Sequence, residues 1–127
     1  MLFAADAQVG NWLSWQNVKW DFAGRTVSGP DLLKRTILYK VGHHASHNAT
    51  LNKLGLELME SLELALVPTD SMMAAKVKWG TLPWPALLDR LIAKTKGGMV
   101  RTDQPFGNKT VASAMVTETD LYYDIEL

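Results

Sequence analysis

The chain has 127 residues, 47% hydrophobic and 20% charged, with 13 basic and 13 acidic side chains that cancel. This length suits one globular unit able to bury roughly two thirds of its unfolded surface, and no basic block marks a nucleic-acid footprint. No apolar run approaches the roughly 18 residues of a membrane span, and the lack of cysteine removes disulfides and thiolate ligands.

Met1 to Asp6 has no basic region and is too short for a signal peptide, so cytoplasm is the default compartment, with an exported parent the alternative. Leu2 to Ala5 reads as a short buried strand that ends at Asp6. A carboxylate at the carboxyl end of a strand, just before a helix, is a common functional position in α/β proteins. It is equally a helix-capping position. Ala7 to Leu13 opens a helix, and Trp12 and Trp15 share its face as core residues. Val18 to Phe22 alternates like a half-exposed strand and turns at Ala23-Gly24-Arg25. Ser28-Gly29-Pro30-Asp31 starts a short helix through Arg35, with Pro in the tolerated first turn.

Ile37 to Val41 is a second apolar strand, followed by Gly42-His43-His44-Ala45-Ser46-His47, which holds all three histidines. Neutral imidazole is a preferred ligand for zinc and similar ions. A histidine pair in a loop is also often a plain solvated turn, and a zinc site needs about four ligands.

Thr50 to Ser61 reads as a helix with Leu51, Leu54 and Leu58 on one face, capped by Asn48 or Thr50. Leu62 to Pro68 is a buried strand, and Asp70 reads as the cap of a helix over Ser71 to Val77. Trp79 to Pro85 is a loop whose tryptophans either rim a pocket or pack the loop down. Pro85 to Thr95 is an amphipathic helix with Leu87, Leu88, Leu91 and Ile92 inward and Gly97 beyond its end. Met99 to Thr102 and Leu121 to Leu127 read as strands, and the polar stretch 103–118 as a mobile connection.

Strands alternating with helices give an α/β class. The segments Leu2 to Trp15 and Thr36 to Thr50, taken together, resemble the second half of a metallo-β-lactamase-fold hydrolase of the branch with a His-His-Gly-Ser motif. The resemblance implies a single unit over 1–127: half of an αββα sandwich, a mixed sheet with flanking helices. It implies two zinc ions in the complete site, with manganese or iron as alternatives, and Asp6 as their bridging carboxylate. His43 is the implied imidazole ligand, with His44 as its alternative; Ser46 and His47 orient a ligand or touch substrate. The implied reaction is hydrolysis of an ester, amide or phosphodiester bond in a small-molecule substrate.

Two departures qualify this expectation. Ala45 stands where the family carries Gly, a steric burden if the position needs positive φ. The family's His-x-His-x-Asp-His motif is absent, as no histidine precedes His43. The chain therefore reads as a C-terminal part, inactive alone, whose exposed sheet face favours self-association. The competing expectation is a non-catalytic interaction module or a degenerate remnant of the fold.

Overall fold

The computed structural model describes residues 1–127. Its centre is a four-stranded sheet of β1 (Leu2–Phe3), β4 (Leu38–Lys40), β5 (Leu64–Val67) and β6 (Met99–Arg101), in the order β1-β4-β5-β6. Every pairing in it is parallel. Antiparallel pairing is confined to a hairpin of β2 (Lys19–Phe22) with β3 (Arg25–Ser28), and to a separate sheet of β7 (Lys109–Val111), β8 (Ala114–Glu118) and β9 (Tyr123–Glu126). The fold is α/β as expected, but the central sheet is parallel rather than mixed.

Four helices accompany the sheets: α1 (Val9–Trp15), α2 (Gly29–Lys34), α3 (Ser71–Lys76) and α4 (Pro85–Thr95). Their starts follow local chemistry. Ser28 Oγ accepts from the Asp31 amide at 3.3 Å while Asp31 Oδ2 accepts from the Ser28 amide at 2.9 Å, a reciprocal cap for α2. Asp70 caps α3 by accepting from the Met73 amide at 2.8 Å. Helix α4 ends where Lys96 and Gly97 turn left-handed. None of the four is long and apolar enough to cross a membrane.

Strand alternation sends side chains to opposite faces of the parallel sheet. Tyr39, Val41, Ala65 and Val67 join Trp12, Leu33, Leu87 and Leu91 in the larger core. Leu38, Leu64 and Val100 join Ala114 and Val116 of the antiparallel sheet in the smaller one. The face expected to lie open is thus covered over β4 to β6 by the chain's own strands. Over β1 the cover stops, and Phe3 is 60% exposed.

Two segments depart from expectation. Residues 50–61 form turns and one short helical turn at Leu56–Leu58, not a continuous helix. A Cβ on Gly55 would stand 2.3 Å from the Leu51 carbonyl oxygen and 3.1 Å from the Trp12 ring, so this turn admits only glycine there. Leu54 is 41% exposed, while Leu56 and Met59 are buried. The stretch 103–118 is not a mobile connection: it holds β7 and β8, with Ala114 and Val116 fully buried. The strand expected over Leu121 to Leu127 begins later, at Tyr123, and β3 at Arg25–Ser28 is a strand the sequence did not announce.

Candidate functional site

Parallel pairing sets Phe3 beside Lys40, which brings the carboxyl ends of β1 and β4 to one edge. Beyond the ladder the two exits are joined again. The His43 amide donates to the Ala5 carbonyl at 2.8 Å. A Cβ on Gly42 would lie 2.3 Å from that same oxygen, so only glycine allows the approach. The turn that carries Asp6 and the turn that carries the histidines therefore meet through backbone.

Both turns are strained. Ala5 has φ of 47°, and His43, His44 and Ala45 follow one another at 46°, 51° and 58°. A left-handed residue other than glycine costs roughly 1–2 kcal/mol, and runs of them are rare. Hydrogen bonds from Ala45 to Gly42 (2.9 Å) and from Ser46 to His43 (3.0 Å) close the turn. Backbone strain of this kind persists where surroundings over-determine it, and it clusters at functional sites. The positive φ anticipated at Ala45 is present.

The two adjacent rings diverge. His43 Nδ1 lies 3.0 Å from Ser46 Oγ. Ser46 Oγ donates to Asn48 Oδ1 at 2.7 Å, and Asn48 Nδ2 donates to Gln8 Oε1 at 3.1 Å. His43 is thus tied toward the β1 side, where Asp6 is. His44 Nδ1 donates to the Pro68 carbonyl at 3.1 Å, toward β5. A carbonyl oxygen only accepts, so in a neutral His44 ring Nε2 is bare. Strand pleat does not separate the rings, because the extended backbone ends at Gly42 and a left-handed turn follows.

His47 is exposed and stands edge-on to Trp84, with ring centroids 6.2 Å apart. Trp79 lies 6.4 Å from the His44 ring. The Trp84 amide donates to the Ala45 carbonyl at 2.8 Å, which moors the tryptophan loop to the histidine turn. Trp79 and Trp84 remain 63% and 41% exposed and border the turn rather than enter the core.

Carboxylate oxygen and imidazole nitrogen are both zinc donor types, and two imidazoles anchored through Nδ1 suit ligation through Nε2. Asp6 and His43 share the edge, yet no group of three His, Asp or Glu side chains stands together as a metal cage. Asn48 and Gln8 are the members of this edge that sequence reasoning missed. Asn48 is expected as a helix cap, and Gln8 falls within the helix expected over Ala7 to Leu13; 40 residues separate them.

A cleft of about 660 Å³ opens between the parallel sheet and the β8–β9 hairpin, and none of Asp6, His43, His44, Ser46 and His47 lines it. Lys40, Pro68, Asp103, Glu118 and Tyr122 are among its walls. Pro68 is the residue that anchors His44. Burial pushes the Asp103 carboxyl up, but hydrogen bonds from Arg101 and Ser71 outweigh it and hold the group at about 2. Glu118 is held below the usual carboxylate range by the Gly107 and Phe106 amides. Both carboxylates are thereby committed to structure, whereas Lys40 has no ion-pair partner. No protein family, curated protein or solved structure matches the chain.

Proposed function

We propose that this chain is the C-terminal part of a metal-dependent hydrolase of metallo-β-lactamase-like fold, acting on an ester, amide or phosphodiester bond. The observation that carries the reading is the fusion of two strained turns, with the His43 amide on the Ala5 carbonyl at 2.8 Å. It sets the Asp6 and His43 segments at one sheet edge, where the motif resemblance expects a shared metal site. Asp6 would be the bridging carboxylate and His43 the imidazole ligand, with His44 as the alternative. Zinc, manganese or iron ions supply activation of water and polarisation of the scissile group. The chain's own residues would hold and orient the ligands, and the substrate would be a small molecule.

The remaining ligands must come from outside these residues, since a dinuclear site needs several on each ion. The 127 residues are therefore expected to bind zinc weakly and to show no metal-dependent turnover. Calorimetric titration with zinc, beside an assay on a generic phosphodiester, tests both points. Loss of zinc binding in both Asp6→Ala and His43→Ala supports the shared site. Unchanged binding in both removes it, and turnover by the chain alone shows that the ligand set is complete without an N-terminal half.

A second reading is a non-catalytic module or remnant of the same fold. The observation favouring it is the lack of any three-residue donor cluster. Zinc binding that requires Asp6 and His43 separates the first reading from this one.

A further inference from the structure

We propose that Ser46, Asn48 and Gln8 are positioning residues that lock His43 in the tautomer whose free nitrogen, Nε2, carries no hydrogen. The argument is a count of protons. Ser46 Oγ has one hydrogen and points it at Asn48 Oδ1, 2.7 Å away. The other end of that amide, Nδ2, is turned to Gln8 Oε1 at 3.1 Å. Ser46 Oγ therefore meets His43 Nδ1, 3.0 Å away, with a lone pair, and Nδ1 must supply the hydrogen. In a neutral ring the other nitrogen is then bare.

Direction in such a chain is set by the orientation of its two amides. Reversing both amides would reverse every bond and place the hydrogen on Nε2 instead. Gln8 is the N-cap residue of α1, and its Oε1 accepts from Asn48 Nδ2, the orientation that leaves Ser46 Oγ a lone pair for His43. Ser46 is only 8% exposed, so little water competes for its hydroxyl. A free histidine side chain in water favours the opposite tautomer, so the relay reverses a default rather than repeating it. The relay anchors the ring from the α1 side while Gly42 and the Ala5 carbonyl fix its backbone.

The tautomer itself does not require the hydrolase reading; its consequence for metal affinity rests on it. Long-range ¹H–¹⁵N correlation on the metal-free chain at about pH 8, where an ordinary imidazole is neutral, reads the tautomer directly. The expected spectrum shows a protonated Nδ1 and a bare Nε2 for His43. Ser46→Ala should move His43 toward protonated Nε2. Asn48→Asp, which keeps an acceptor for the Ser46 hydroxyl, should leave it unchanged. His44, anchored independently on Pro68, should keep its pattern in each variant and so reports an intact fold.

A protonated Nε2 in the unaltered chain overturns the proposal, with no variant needed. So does a Ser46→Ala chain with the His44 pattern intact and the His43 pattern unaltered. Zinc titration of the same samples should show affinity about 10–100-fold weaker in Ser46→Ala, the size of loss usual for removing a ligand's hydrogen-bond partner. The predicted tautomer without zinc binding in the unaltered chain would sink the metal-site reading and leave the relay standing. Zinc binding with the opposite tautomer would do the reverse.

Discussion

Strain at single residues separates what the candidate site requires from what the core tolerates. Ala5 and Ala45 both sit at positive φ, yet their surroundings differ: Ala5 is exposed and Ala45 fully buried. Glycine at Ala5 would relieve the left-handed penalty and lose only unfolded-state restriction, a net gain of roughly 0.5–1 kcal/mol. Glycine at Ala45 would also remove a buried methyl worth about 0.8 kcal/mol, which offsets the relief. Chemical denaturation should therefore show Ala5→Gly more stable than the parent and Ala45→Gly close to it. Equal gains at both positions would mean that the Ala45 methyl contributes nothing to the core.

Among elements, Asp103 is the joint with the clearest pH signature. It accepts from Arg101 Nε and Nη2, at 2.9 and 2.8 Å, and from the Ser71 amide and hydroxyl, at 3.0 and 2.7 Å. These bonds tie the end of β6 to the start of α3. Because its folded value of about 2 lies below the ordinary 3.8, its stabilisation is present above pH 4 and fades as pH falls from about 4 to 2. The expected size is about 2 kcal/mol, since the side chain is only 9% exposed and solvent screens these bonds little. Asp103→Asn should lower stability at neutral pH and flatten its acid dependence in that window. An unchanged acid limb would place the titration elsewhere.

On the scale of the whole molecule, the antiparallel sheet β7–β9 completes the core. Leu38, Leu64 and Val100 are shielded on that side by Ala114 and Val116, with Phe106, Tyr123 and Ile125 packed around them. Val116→Ala should cost roughly 2 kcal/mol, two buried carbons at about 0.8 kcal/mol each plus an incompletely collapsed cavity. Met115→Ala on the same strand faces outward, at 46% exposure, and should change stability by no more than about 0.5 kcal/mol. Thermal melts of the two variants compare them directly; equal losses would mean that β8 does not seal the parallel sheet.

Local chemistry was legible wherever one short segment decides the outcome. The cap at Asp70, the Ser28–Asp31 start of α2, the limits Pro85–Thr95 of α4 and the strand cores of β4 and β5 all follow from nearby residues. The motif resemblance singled out Asp6 and His43, whose turns the parallel pairing of β1 with β4 brings to one edge. Tertiary contacts decided the rest. A leucine pattern over 50–61 yields turns in which Leu56 and Met59 rather than Leu54 find the core, with Gly55 lying against the Trp12 ring. The polar stretch 103–118 becomes sheet because two buried positions, Ala114 and Val116, meet a hydrophobic face set by strands distant in sequence. The link from His43 through Ser46 and Asn48 to Gln8 was likewise invisible, since a hydrogen bond across 40 residues leaves no periodicity and no local motif. Residue order fixes local geometry through sterics and capping, while the partners of a buried or hydrogen-bonded group exist only once the chain has brought them together.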